Sequence, residues 1–470
     1  MAKAARVPTS PVPPPNQGDR LATVYPSTLA ATMGLVLAPT WNGPVPWVHP
    51  SHHSHPGGSH RMPHPGGTKA PRLRRVLAGP GSGKTRLLTN ELNDRLQKGM
   101  PAHAMIGLTF TRRAATEMRQ RLAKSGQKPP ALGTFHALAY RILADLGLLP
   151  SPLNLDALIP QAVGALRTRG APAWIPPVQF LAVDEAQDLD GTQVEFLQEL
   201  CRHMTEPELL LVGDPDQAIY GFRQASAAYL LQAESTFAQP CKTILLAENY
   251  RSAKAIVELA RRLLSPTAGP QAPCHSLAAK RPEAHPAIRW IVTETAEAEA
   301  VRIFEEVRTL LALHIPASEI AILVRLRAQM PALETEATRW NIPVFQPPRH
   351  DQLDDGQEPP LPAPDAIQLM TMHQSKGCEF TCVFLAGVQD GLMPYRRAAS
   401  DGSRYEELRL LYVAVTRAKQ LLWLCRHGAP SPFLAPVSGS RDSRATGRPI
   451  PRPQSWLRWL ARYFSGDKRA

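Results

Sequence analysis

Cysteine is scarce in this chain. The 470 residues hold six (Cys201, Cys241, Cys274, Cys378, Cys382 and Cys425), and none stands in a C-x-x-C pair. That scatter excludes a disulfide framework and a zinc ribbon, and leaves reduced thiols as the reading. No apolar run approaches the roughly 20 residues that a membrane-spanning helix needs. The longest candidate, 29–39 (LAATMGLVLAP), follows Lys3, Arg6 and Arg20, loosely as in a signal peptide. Its polar, proline-rich lead argues against export, and the expectation is a soluble cytoplasmic protein with no membrane partner. Acidic residues are also in deficit: 40 Asp and Glu stand against 53 Lys and Arg, a net charge of +13. Such a balance suits a polyanionic partner, nucleic acid being the usual one, or solubility alone. The chain is too long for one core, and its 43% hydrophobic content supports two or three.

What is present begins with a biased stretch. Residues 1–70 are rich in proline, glycine, serine and histidine, with His49, His52, His53, His55, His60 and His64 close together. No carboxylate or cysteine is interleaved, so a disordered tail or an over-extended start is expected, with metal binding as the alternative. From 71 to 265 strand-like stretches (105–109, 180–184, 209–213, 244–247) alternate with helical spacing at 113–123, 136–146, 191–203 and 252–265. That is an α/β layout with a mostly parallel sheet. A proline-containing linker is expected at 266–286. A second alternation spans 287–428: strands at 288–292, 320–325, 342–345, 367–371, 380–386 and 420–425, and helices at 296–313, 328–340 and 405–418. Within it, 346–366 reads as an exposed Pro/Asp-rich linker. A basic tail, 429–470, ends in the amphipathic SWLRWLARYF, suited to DNA, a membrane or the body of the protein.

The chemistry centres on 79–85 (GPGSGKT). An apolar strand leads in and a helical stretch leads out, the context in which a G-x-x-x-x-G-K-[ST] loop cradles phosphates with its backbone N–H groups. Lys84 would neutralise phosphate charge and the Thr85 hydroxyl would hold Mg²⁺. About one hundred residues on, the apolar strand of 180–183 ends in Asp184 and Glu185. Asp184 would hold Mg²⁺ through water, and Glu185 would orient and deprotonate the attacking water. A third apolar strand ends at Gly213-Asp214-Pro215-Asp216-Gln217, making Gln217 a γ-phosphate sensor candidate. Tyr220 and Phe222 follow beside Arg223 and suit base stacking, or are core rings. Arg251 and Arg417 suit transition-state charge stabilisation; a surface salt bridge is the plainer reading of the former. In 371–380 (TMHQSKGCEF), Thr371, His373 and Lys376 are expected to be exposed and to touch a nucleic-acid backbone, a satisfied turn being the alternative.

Eight stretches in order closely resemble the superfamily 1A helicases of the UvrD/Rep/PcrA type: GPGSGKT, LTFTRRAATEMRQRL, GTFHALAYRIL, VDEAQD, VGDPDQAIYGFRQA, ENYRS, TMHQSKGCEF and LRLLYVAVTRAK. The resemblance covers about 76–425. It implies two RecA-like P-loop NTPase domains with parallel sheets and an ATP cleft between them. It implies ATP and Mg²⁺ as cofactors, Gly79, Pro80, Gly81, Ser82, Gly83, Lys84 and Thr85 around the phosphates, and Thr85 and Asp184 at the metal. Lys84, Asp184, Glu185, Gln217, Arg251 and Arg417 would be catalytic, Arg86 and Tyr250 would sandwich the adenine, and Glu379 would meet the ribose. Thr109, Phe110, His136, Tyr220, Phe222, Thr371 and His373 would grip single-stranded DNA.

Three departures accompany the resemblance. Residues 40–75 lack the family's adenine-reading glutamine motif. Only 145–179 separates the GTFH helix from the Asp184 strand, so the first inserted subdomain is much reduced. The second, large helical one is replaced by 346–366. The expectation is a stripped motor: an ATP-dependent 3′→5′ single-stranded DNA translocase or helicase of DNA repair or recombination. Its partners would be single-stranded DNA, with duplex junctions and a protein as further candidates. The alternatives are a protein-displacing translocase that does not separate strands, a nucleotide-gated DNA-binding subunit, and a small-molecule P-loop kinase.

Overall fold

A computed structural model describes residues 72–434 except 125, 127, 222–223, 266–276, 282–286, 349–362 and 396–400. Residues 1–70 with their histidines, Phe222, Arg223, Cys274, most of both expected linkers and the SWLRWLARYF segment lie outside the described residues.

Two six-stranded sheets carry the architecture, and every strand pair in them is parallel. The first comprises β1 (Leu73–Ala78), β2 (Met105–Thr109), β3 (Ala131–Thr134), β4 (Phe180–Val183), β5 (Glu208–Gly213) and β6 (Cys241–Leu246), in the order 3-2-4-5-1-6. β2, β4 and β5 read as almost unbroken buried apolar runs, as central strands covered on both faces must. Helices α1 (Lys84–Gln97), α2 (Arg112–Ala123), α3 (Phe135–Asp145), α4 (Leu155–Arg169) and α5 (Gly191–His203) supply the crossovers. Leu77 pairs with Gly213, and Val183 with Leu211. The carboxyl ends of β1, β4 and β5 therefore lie side by side, the position at which parallel α/β sheets take ligands.

α4 and β3 were not expected from the sequence. Pro160 sits inside α4 and reads as a breaker, yet Leu158, Ile159, Ala162, Val163 and Leu166 are buried in the first core. What the sequence offers as the remnant of an inserted subdomain is thus partly a core helix.

After β6 the chain forms the two-residue strand β7 (Glu248–Asn249), which pairs with β8 (Ala278–Ala279), and helix α6 (Lys254–Leu264). The second sheet holds β9 (Ile288–Val292), β10 (Ile320–Val324), β11 (Val344–Phe345), β12 (Ile367–Thr371), β13 (Phe380–Ala386) and β14 (Ala418–Arg426), ordered 11-12-10-13-14-9. α7 (Ala296–Ala312), α8 (Met330–Arg339) and α9 (Asp401–Val415) cover it. α6 shares a core with α9 and the second sheet through Ile256, Leu259, Ala260 and Leu263, although it precedes the expected linker. Ile219, from just after β5, is buried in that same second core. The two halves are therefore laced together where the candidate site lies. Among the described residues no helix is long and apolar enough to cross a membrane, and no cluster of three or more His, Cys, Asp or Glu could hold a metal.

Candidate nucleotide site between the two sheets

The phosphate loop starts where β1 ends. Gly81 and Gly83 adopt φ of 65° and 89°, the left-handed region that favours glycine. Leu87 N–H donates to Gly83 O at 2.8 Å, so the helix begins on Lys84 with no acidic residue in its first turn. The free N–H groups at that terminus carry partial positive charge toward the loop. Lys84 Nζ donates to Ala78 O at 3.3 Å and lies 3.9 Å from Asp214 Oδ2. Ser82 Oγ donates to Gly79 O at 2.7 Å, closing the loop from within.

The carboxylates arrive from the neighbouring strand ends. Thr85 Oγ1 stands 3.5 Å from Asp184 Oδ2. Burial, reinforced by Glu185, pushes the Asp184 carboxyl up to about 7. Burial likewise pushes Asp214 up to about 7 against the pull of Lys84. Burial also acts on Glu185, but Lys84, Lys376, Gln187 and Arg417 outweigh it and hold this carboxyl below the usual range. The two adjacent carboxyls are thus driven apart, Asp184 toward its neutral form and Glu185 toward its ionised form. Glu185 is itself held at φ 51°, an uncommon conformation for a non-glycine residue. Hydroxyl and carboxylate oxygens are the hard donors Mg²⁺ takes, so Thr85 and Asp184 fit that ion; the glycine cradle and the Lys84 ammonium fit phosphates.

The chain leaving β6 crosses directly over this loop. Tyr250 N–H donates to Gly81 O at 3.0 Å and Asn249 Nδ2 to Pro80 O at 2.7 Å. Asn249 Oδ1 accepts from the N–H groups of Arg251 and Ser252, which fixes the turn. A Cβ on Gly81 would come within 2.5 Å of the Arg251 Cβ, so this close approach needs glycine as much as the dihedral does. Arg251 Nε lies 2.6 Å from Glu379 Oε2, and Arg281 Nη1 donates to the Arg251 carbonyl at 3.0 Å. The Arg86 guanidinium approaches the half-exposed Tyr250 ring to 5.7 Å from its centroid.

From the second half, Arg417 is buried and reaches Gln217 Oε1 with Nη2 at 3.2 Å, while Nη1 donates to Cys378 O at 3.1 Å. Burial, then the nearby Arg251, brings its guanidinium down to about 10, still cationic at neutral pH. The structure thus brings Lys84, Thr85, Asp184, Glu185, Gln217, Arg251, Arg417, Arg86, Tyr250 and Glu379 to one junction. Glu379, expected at the ribose, pairs with Arg251.

The residues expected on DNA lie on both halves. Thr109 is buried with an unpartnered hydroxyl at the end of β2. Half-buried Phe110 packs on Phe135 with ring centroids 5.5 Å apart. His136 and His373 are half-buried, and burial lowers both, His373 to about 4. Thr371 Oγ1 donates to Gln374 Oε1 at 3.1 Å. Tyr220 packs against the second core.

Lys376 corrects the expectation of an exposed residue. Its side chain is 7% exposed, and Nζ sits 2.7 and 2.6 Å from the two Asp188 oxygens, 2.7 Å from Gln217 O and 4.7 Å from the Tyr220 ring centroid. The turn around it is short and polar, and nothing local signals a partner nearly two hundred residues earlier. Asp188, Asn249, Gln187 and Asp214 were likewise missed as working groups; the only signal was their position beside the strand ends.

Lys376→Ala strands the Asp188 carboxylate, which burial already pushes up to about 6 despite the lysine. Breaking a buried pair by removing one partner costs about 3–5 kcal/mol. Asp188 is neutral at low pH in both proteins, so the deficit should shrink as pH falls below about 6. Unfolding midpoints of the variant and the parent at pH 7.5 and pH 5 check this; a deficit independent of pH would remove Asp188 as the reason.

Comparison with known proteins agrees with this geometry. Residues 68–223 match the AAA domain family, and 244–347 and 349–428 match the UvrD-like helicase C-terminal domain. The chain belongs to the UvrD-like helicases of superfamily 1A. It is 25% identical to the ATP-dependent DNA helicase UvrD2 of Mycobacterium tuberculosis, across 79% of this chain and 78% of that protein. A probable DNA helicase of Mycoplasma pneumoniae is 24% identical across 74% and 79%. DNA helicase IV of Escherichia coli is 29% identical over 60% of this chain and 38% of its own length.

Proposed function

We propose that the chain is an ATP-driven motor that moves 3′→5′ along single-stranded DNA and acts in DNA repair or recombination. One observation carries the reading. Arg417 reaches Gln217 from the second half, and Asn249 and Arg251 press on Pro80 and Gly81 of the phosphate loop, so occupancy of the cleft and the relation between the two sheets are coupled. Lys84 neutralises the phosphates, Thr85 and Asp184 would hold Mg²⁺, and Glu185 orients and deprotonates the attacking water. Bound Mg²⁺ would neutralise charge on the phosphate oxygens. Gln217 reports on the terminal phosphate, and the two arginines stabilise the charge of the transferred phosphoryl. Arg86 and Tyr250 enclose the base, and Glu379 meets the ribose. Thr109, Phe110, His136, Tyr220, Phe222, Thr371 and His373 form the strand contact, by backbone hydrogen bonds and base stacking.

The test is steady-state ATP hydrolysis with and without single-stranded DNA, followed by displacement of an annealed strand from 3′- and 5′-tailed duplexes. Several-fold stimulation, with displacement from the 3′-tailed substrate, is the expected result. Hydrolysis indifferent to DNA would sink the motor reading. Stimulation without displacement would leave a translocase that does not separate strands.

A further inference from the structure

Gln187 belongs to no role assigned above, yet it is fully buried and has both ends of its amide engaged. Nε2 donates to Glu185 Oε2 at 2.6 Å, and Oε1 accepts from the Asp214 N–H at 2.9 Å. The orientation is forced by chemistry: a backbone N–H can only donate and a carboxylate can only accept. β5 is shaped around this amide. A Cβ on Gly213 would fall 2.5 Å from Gln187 Oε1, 2.7 Å from Leu230 Cδ2 and 3.1 Å from the Gln187 backbone N, and Gly213 does not have the positive φ that would otherwise call for glycine. Beyond Asp214 the bonds continue. Asp214 Oδ2 accepts from Gln217 Nε2 at 2.7 Å, and Gln217 Oε1 accepts from Arg417 at 3.2 Å. Gln217 O accepts from Lys376 at 2.7 Å, so two cations of the second half close on the same turn.

We propose that Gln187 is the positioning residue that ties the Glu185 carboxylate to the Asp214–Gln217–Arg417 chain, so that the approach of the second half sets the geometry of the water-activating group. The proposal rests on the hydrolytic role given above to Glu185. A glutamine present only to fill a buried turn would contribute to stability and leave turnover alone. A glutamine that aims a general base contributes to kcat and leaves nucleotide binding alone, because the aim matters only as the proton moves.

The experiment compares Gln187→Ala and Gly213→Ala with the parent in DNA-stimulated ATP hydrolysis, alongside binding of a fluorescent ATP analogue and thermal unfolding. In Gln187→Ala we expect kcat to fall on the order of 10–100-fold, with KM and analogue affinity within about twofold. Gly213→Ala, whose methyl displaces the amide without removing it and also presses on the flexible end of Leu230, should show the same kcat pattern and keeps the proposal falsifiable if the first variant does not fold. In a Gln217→Ala background, Gln187→Ala should cost much less than it does alone, as members of one chain of bonds are not additive. Unchanged kcat with a lowered unfolding temperature would overturn the proposal in favour of a filler. A raised KM at unchanged kcat would overturn it in favour of a binding role, and full additivity with Gln217→Ala would break the link to the second half. A parent protein without DNA-stimulated turnover would bring down the functional reading, and this inference with it.

Discussion

Lys84→Ala should abolish ATP turnover. Lys84 is the ammonium at the loop, reaching Ala78 O and Asp214, and it opposes the upward shifts of both Asp184 and Asp214. Without it, two buried carboxyls already near 7 move higher and take up protons, and Asp184 loses its fitness for a cation. The phosphates lose their neutralising charge in the same step. A single preorganised electrostatic partner is worth about 10²–10³ in kcat, and here one substitution removes the phosphate contact and disturbs the metal-holding carboxylate together. A coupled ATPase assay at saturating single-stranded DNA reads the effect. Turnover within a few-fold of the parent would mean that 79–85 does not hold the reacting phosphates.

Glu185→Gln should bind nucleotide and scarcely hydrolyse it. The substitution is isosteric, and the new amide oxygen can still accept from Gln187 Nε2, so the turn at φ 51° keeps its bond. What disappears is the ionised carboxylate that Lys84, Lys376, Gln187 and Arg417 sustain against burial. Loss of a general base costs about 10²–10⁴ in rate. The neighbouring Asp184 loses a like charge and should move down from about 7, which favours its cation-holding form. Tight analogue binding with kcat down by that factor is therefore the expected pair of results. Unchanged turnover would pass the role to another group at the strand ends.

The two variants act on opposite sides of one design. Carboxylates at the ends of β4 and β5 are buried deeply enough to resist ionisation, and cations from both halves set which of them ionise. Lys84 comes from the first half; Lys376 and Arg417 come from the second.

Much of the candidate site was legible in the chain because its logic is local. The glycines, Lys84 and Thr85 form one continuous motif between an apolar strand and a helix. In a parallel sheet, groups that follow apolar strands collect at one edge, so 184–185 and 214–217 could be assigned to that loop before any fold was known. The strands at 105–109, 367–371 and 380–386 appear at the expected residues, since buried parallel strands are near-continuous apolar runs. Tertiary structure alone decided the rest. Pro160 hid a core helix whose apolar face only packing reveals. α6 reads as part of the first half by position and packs on the second through Ile256, Leu259 and Leu263. Asn249 over Pro80, Lys376 on Asp188 and Arg417 on Gln217 join residues one hundred and fifty or more positions apart. Periodicity and spacing report what a segment buries, whereas a buried ion pair or a two-ended amide depends on which distant segment arrives, and that is set by the folded chain as a whole.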